Sequence, residues 1–191
     1  MMAAPVDDPL KSDSRSDQEL IAAMNDGDSN AFETLYYRYR DWVVSLAYRF
    51  TGDRELALDT LQETFLYFIK KFPGFRLTAQ LKTFLYPAVR NLSIAARRKA
   101  ERFRSDENDT PTIEAAITTE PTVNQEGPLT AALAVLSDDH REVLLLRFVD
   151  GLSLAEIAES LDIRLGTVKS RLHTALKTLR HDPRTKTYFE Q

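Results

Sequence analysis

Cysteine is absent from the 191-residue chain, which excludes a disulfide scaffold, a thiolate metal site and a thiol nucleophile. Histidine occurs three times, at His140, His173 and His181, with no ligand spacing between them and no HExxH. A GxxxxGK phosphate loop and a GxSxG elbow are missing too. No catalytic site is therefore expected, and no metal or cofactor. No apolar run approaches the roughly 20 residues of a membrane span. The opening segment MMAAPVDDPLKSDSRS carries acids and has no apolar core, so it is not a secretory signal and the expected compartment is the cytoplasm. A convincing strand pattern is lacking as well, and no repeat of roughly 20–50 residues is present.

What is present is an ordinary folded composition, 43% hydrophobic and 28% charged, with 25 Lys and Arg against 29 Asp and Glu. The net charge of −4 hides a segregation of sign. Residues 1–104 carry 16 basic and 14 acidic residues; 105–127 carry six acids and no Lys or Arg; 128–191 carry nine of each. The stretch SDENDTPTIEAAITTEPTVNQEGP (105–128) is acidic, rich in Thr and Pro and free of aromatics, and reads as a flexible linker too polar to pack a core. The expected organisation is a disordered tail (1–16), a helical domain (17–104), the linker (105–128), a second helical domain (129–182) and a short tail (183–191). The fold class is all-α.

Local signals set the helices. Ser16 with Glu19 is a capping-box pattern opening a helix that runs to about Asn25. Phe32, Leu35, Tyr36, Tyr39, Trp42, Val43, Leu46, Ala47 and Phe50 recur as one buried face predicts, giving a helix from about 29 to 50 that ends at Gly52. Asp53 caps the next, which is expected to stop at Pro73-Gly74. A fourth spans about 78–104, with Leu81, Phe84, Leu85, Ala88, Val89 and Leu92 inward and a kink expected at Pro87. After the linker come helices over 129–136 and about 138–148, a turn at Asp150-Gly151, then LSLAEIAESL (152–161), a turn at Asp162-Ile163 and a last helix over about 165–180. The last two have helix-turn-helix spacing. Ala155, Ile157, Ala158 and Leu161 are expected to pack against Val168, Leu172 and Leu176.

Two basic clusters and one polar face stand out. On the final helix, Val168, Leu172, Leu176 and Leu179 form the inward stripe, leaving Thr167, Lys169, Ser170, Arg171, His173 and Thr174 outward or on the flanks, with Arg164 just before. Such residues reach base edges and phosphates when a helix enters the major groove. Complementing the helix dipole is the alternative for Lys177 and Arg180, but Lys169 and Arg171 lie too early in the helix for it. The second cluster, Arg97, Arg98, Lys99, Arg102 and Arg104, follows Phe84, Tyr86, Arg90 and Asn91. Rings beside a basic stripe suit unpaired bases; a solvated helix end with core aromatics is the alternative, and for Phe84 alone the core is favoured. In DTLQETF, Asp59, Gln62, Glu63 and Leu66 share one face, while Leu61, Phe65, Phe68 and Ile69 turn towards the other. Spacing alone makes that polar face a solvated surface.

The segment LRFVDGLSLAEIAESLDIRLGTVKSRLHTALKTLR (146–180), GTVKSRL above all, resembles the fourth conserved region of bacterial sigma factors of the extracytoplasmic-function group. DTLQETFLYFIKKF (59–72) resembles their second conserved region, and LKTFLYPAVRNLSIAARRK (81–99) its promoter-melting helix. The resemblance covers about 17–104 and 129–181 in the family's order. It implies a factor that binds core RNA polymerase, directs it to promoters and helps to open the DNA. On that resemblance Asp59, Gln62, Glu63 and Leu66 contact the clamp helices of the β′ subunit. Phe84, Arg90, Asn91, Arg97, Arg98 and Lys99 bind and melt the minus-ten element. The loop from Pro73 to Gln80, with Phe75 and Arg76, takes up a flipped non-template base. Arg164, Thr167, Lys169, Ser170, Arg171, His173 and Thr174 read the minus-thirty-five element, and the second domain meets the β-subunit flap. An anti-sigma protein is a usual partner in the group. Departures from the family pattern are Ala95 for Asp, Phe84 for Trp, Pro87 for a polar residue, Arg164 for a capping Ser and Thr174 for Arg. An ordinary helix-turn-helix regulator is the other reading; it explains 129–181 and leaves the first domain unassigned.

Overall fold

The computed structural model describes residues 13–107, 133–183 and 185. Among these there are seven helices and no strand: α1 (Asp17–Asn25), α2 (Ser29–Thr51), α3 (Arg54–Ile69), α4 (Leu81–Glu107), α5 (Asp138–Phe148), α6 (Leu154–Leu161) and α7 (Leu165–His181). The chain divides into two compact units, Met1–Ala100 and Glu101–Gln191. Most of the expected linker, from Asn108 onwards, and the first four residues of the expected 129–136 helix lie outside the described residues.

In the first unit the helix starts are made by side chains. The Ser16 hydroxyl accepts from the Glu19 N–H while Glu19 accepts from the Ser16 N–H at 2.6 Å, the reciprocal box expected. Asp28 accepts from the Asn30 and Ala31 N–H groups, and Asp53 from those of Glu55 and Leu56. Gly52 ends α2 in the left-handed region, at φ 66°, where a residue without Cβ is under no strain. α2 packs against both α1 and α3. Leu20, Ile21, Leu35, Val43, Leu46, Leu61, Phe65, Phe68, Leu81, Leu85, Tyr86 and Val89 are buried in the core. Burying each such side chain contributes about 1.5–3 kcal/mol before the entropy cost.

Three features differ from the sequence-based expectation. Asp13 to Ser16, expected to be tail, are docked on α2: Arg38 donates to the Asp13 and Arg15 carbonyls at 3.0 Å and pairs with Asp17 at 2.6 Å. α3 stops at Ile69 instead of reaching Pro73, because the last N–H groups turn to nearer carbonyls, Lys71 to Phe68 and Phe72 to Ile69. α4 begins at Leu81 instead of about 78, with the Gln80 carbonyl accepting from the Thr83 N–H at 3.0 Å, and runs to Glu107 with Pro87, whose ring removes one donor from the ladder, inside it.

In the second unit, α5 and α6 both pack on α7. Leu136, Val143, Leu144, Leu146, Leu152, Ile157, Val168, Ala175 and Leu179 are buried, with Leu133, Leu172 and Leu176 partly buried against them. α6 is opened by a second capping box, Ser153 with Glu156. Asp162 closes it in the left-handed conformation at φ 51°, the short turn of a helix-turn-helix. The expected inward stripe of α6 needs one correction. Ala155 is exposed, while Ile157 is buried and Ala158 and Leu161 are half-buried.

Candidate nucleic-acid and polymerase interfaces

On α3, a buried face of Ala57, Thr60, Leu61, Thr64, Phe65 and Phe68 lies against α2. Asp59, Gln62, Glu63 and Leu66 are all exposed. Ile69, expected on the inner side, is 42% exposed. Leu58, Leu66 and Tyr67 are open to solvent too, Leu66 at 50%. Leu58, Gln62, Leu66 and Ile69 recur at spacings of four, four and three, so they form a stripe down the outer face. Apolar side chains aligned on an outward face, rimmed by Asp59 and Glu63, are the composition of a partner surface rather than of a solvated one. The sequence signal for it is that α3 is apolar on two sides at once.

The loop between α3 and α4 is built around rings. Phe75 packs with Phe68, Phe72 and Phe84 at centroid distances of 5.6, 5.5 and 4.7 Å. Phe84 stacks on Tyr67, 5.9 Å away and 17° from parallel. The Lys71 ammonium lies 4.4 Å from the Tyr67 ring centre, a cation–π contact. Phe75 and Phe84 thus lie half-buried in an aromatic cluster, and Arg76 is exposed. The backbone of the loop is held by a residue that sequence reasoning missed. Asn25, at the end of α1, accepts from the Gly74 N–H at 2.6 Å and donates to the Phe75 carbonyl at 2.9 Å.

Along α4, Asn91, Ala95, Arg98 and Arg102 form one exposed stripe, with Lys99 and Arg104 beside it. Arg90 and Arg97 are half-buried. At the other end of the helix, the Lys82 ammonium is 5.6 Å from the Trp42 ring centre.

On α7, Arg164, Lys169, Ser170, His173 and Thr174 are exposed, and Thr167 and Arg171 half-buried. Arg164 occupies the cap position without a side-chain capping bond, as expected from the missing Ser. The Ser170 hydroxyl donates to the Thr167 carbonyl at 3.0 Å. Arg171 is drawn to one flank by Asp139 of α5, with Nη2 and Oδ2 2.5 Å apart. The outward arc from Gly166 to Thr174 therefore consists of Gly166, Lys169, Ser170, His173 and Thr174, with Arg171 at its edge. Asp139 is the second residue that sequence reasoning missed.

The model of sigma-70 region 2 matches residues 35–103 and that of sigma-70 region 4 matches residues 132–181. Among curated proteins, the ECF RNA polymerase sigma factor SigW of Bacillus subtilis is 30% identical over 173 residues, spanning 84% of this chain and 92% of its own. The ECF RNA polymerase sigma factor SigL of Mycobacterium tuberculosis is 40% identical over 153 residues, 76% of this chain and 85% of its own. Among solved structures, the sigma factor RpoE of Bartonella quintana, in complex with the anti-sigma factor NepR, aligns with a TM-score of 0.57 at 25% identity, covering 78% of this chain and 94% of that one. CnrH, in complex with the cytosolic domain of CnrY, shares the fold with a TM-score of 0.61 at 21% identity, over 85% and 94% of the two chains.

Proposed function

The chain belongs to the extracytoplasmic-function group of the sigma-70 family, and from that premise we propose how its surfaces divide the work of starting transcription. The outer face of α3, with Asp59, Gln62, Glu63 and Leu66, docks on the clamp helices of the β′ subunit of core RNA polymerase. The exposed apolar stripe through Leu58, Leu66 and Ile69 is the observation that carries this assignment, because a helix with no partner on that side loses free energy by leaving three large apolar side chains in water. The exposed basic face of α4, with Arg98 and Lys99 flanked by Arg90, Asn91 and Arg97, binds the minus-ten element. The adjoining loop, with Phe75 and Arg76, takes up an unpaired base as the strands separate. The outward arc of α7 reads the minus-thirty-five element in the major groove, where Lys169 and Arg164 neutralise phosphates and Ser170, His173 and Thr174 face base edges. The second unit also meets the β-subunit flap.

This work needs no catalytic group of the chain's own: opening is driven by binding energy, the unstacking cost of a few kcal/mol being offset by contacts to the released base and strand. It is work done in the cytoplasm, where polymerase and chromosome meet. An anti-sigma protein is the regulatory partner we propose, supported by the structure of the related RpoE with NepR.

The test is a charge reversal on α3. Glu63 is exposed, so Glu63→Lys is expected to leave the melting temperature unchanged while reducing affinity for core polymerase at least about tenfold, about 1.4 kcal/mol. Unchanged core affinity would remove this face from the polymerase interface.

A further inference from the structure

The end of α1 and the loop before α4 are tied together by one side chain. Asn25 is half-buried, and its carboxamide faces two backbone groups that bracket the Gly74-Phe75 peptide: Oδ1 accepts from the Gly74 N–H at 2.6 Å and Nδ2 donates to the Phe75 carbonyl at 2.9 Å. Offering one donor and one acceptor in a plane is the property of a carboxamide; a carboxylate only accepts and an ammonium only donates. Gly74 stands at φ +96°, a conformation that other residues adopt only under strain. The Phe75 ring is meanwhile inserted among Phe68, Phe72 and Phe84. The loop is thus held at one point from both sides, by its backbone on Asn25 and by its side chain in the aromatic cluster. Just beyond the clamp, Arg76, Thr78 and Gln80 are exposed.

α1 is itself fixed. Its first turn is anchored by the Ser16–Glu19 box and by Asp17, which pairs with Arg38 and accepts from the Tyr39 hydroxyl. The clamp is therefore rigid at its base, and an immobile loop pays less entropy on taking up a ligand than one that must first be ordered.

We infer that Asn25 is a positioning residue: through the Gly74-Phe75 clamp it presets the loop that receives an unpaired nucleobase, and so sets how sharply that base is discriminated. The inference rests on the reading above that this loop takes up a base. Asn25 itself touches no nucleic acid in this scheme.

The experiment uses the full chain assembled with core polymerase. A promoter that the wild-type holoenzyme opens supplies the non-template strand, and fluorescent single-stranded oligonucleotides differing at the captured base are titrated against wild type, Asn25→Ala and Asn25→Asp. The Asp variant is isosteric: it still accepts from Gly74 but turns an oxygen on the Phe75 carbonyl. Asn25→Ala loses both hydrogen bonds, and Asn25→Asp loses the one to the Phe75 carbonyl and sets two acceptors face to face; both are expected to lose base preference roughly tenfold, with core affinity and melting temperature retained by Asn25→Asp at least. Wild-type preference in both variants would overturn the inference. So would a loss of preference that tracks, in both, an equal loss of core affinity and of melting temperature, since that is the pattern of a purely structural residue. If the wild-type holoenzyme itself shows no base preference at any position, it is the base-uptake reading of the loop that fails.

Discussion

Arg171 illustrates how one side chain can belong to two structures. Its guanidinium is a quarter exposed and pairs with Asp139 at 2.5 Å, yet it stands at the edge of the arc that we assign to the upstream promoter element. A half-exposed pair of this kind contributes little to stability, about 0–1 kcal/mol; its effect is to hold a long, flexible side chain in one place. Arg171→Ala is therefore expected to weaken binding of the holoenzyme to promoter duplex by about 1–3 kcal/mol with core affinity intact, as measured by footprinting across a protein titration. Loss of core binding in that variant would contradict the division of labour. Asp139→Ala is expected to weaken promoter binding less than Arg171→Ala and to change the melting temperature little. Neither Asp139 nor Asn25 was legible in the sequence. Both act on groups far along the chain, and no helical spacing links Asp139 to Arg171 or Asn25 to Gly74. Glu63 and Lys169 were legible because exposure follows from the phase of their own helices.

At the scale of the element, starts and stops were readable wherever a cap is local. Ser16 with Glu19, Gly52 and Asp53 all act within a few residues of the backbone groups they satisfy. The end of α3 was not readable, since Asn25 and the rings of Phe68 and Phe84 hold the following segment as a loop. Ala155 was misplaced because α6 has only eight residues, too few for periodicity alone to fix which side faces inward. α7 starts without a side-chain cap. Arg164→Ser is expected to stabilise the second unit by about 1 kcal/mol and to weaken upstream DNA binding, in thermal melts and promoter titrations respectively; no gain in stability would mean that Arg164 satisfies the helix start in some other way.

The segment leading into α1 has its own pH dependence. Hydrogen bonds from the Arg15 side chain and backbone hold the Asp13 carboxyl at about 2, against an ordinary 3.8, and the Arg15 guanidinium lowers Asp28 in the same way. A carboxylate depressed in the folded state contributes stability that is complete above its unfolded value and fades as pH falls towards its folded one. NMR resonances of residues 13–20 are accordingly expected to hold steady from neutral pH to about 4.5 and to shift between about 4 and 2. A transition centred at the ordinary value would show that the segment is not docked.

For the whole molecule, two cores carry two sets of surfaces, and the all-helical class followed from helical periodicity on both sides of the acidic stretch. The charge segregation matters at this scale more than the net −4: basic residues concentrate on α4 and α7, so the affinity of the holoenzyme for promoter DNA is expected to depend partly on counterion release and to fall with salt. Identity to the related sigma factors is low, 25–40%, and a promoter choice of its own is expected to lie at positions that depart from the family pattern, such as Phe84, Ala95, Arg164 and Thr174.

Promoter opening by a reconstituted enzyme tests the sigma-factor assignment most directly. Core RNA polymerase, the full chain and a library of promoter fragments are combined, and single-stranded thymines are detected with permanganate. Opening at defined sites is expected only when core and chain are both present, and is expected to be lost with Glu63→Lys. Tight binding of duplex DNA by the chain alone, with no opening and no association with core, would contradict the assignment and leave an ordinary helix-turn-helix regulator in its place.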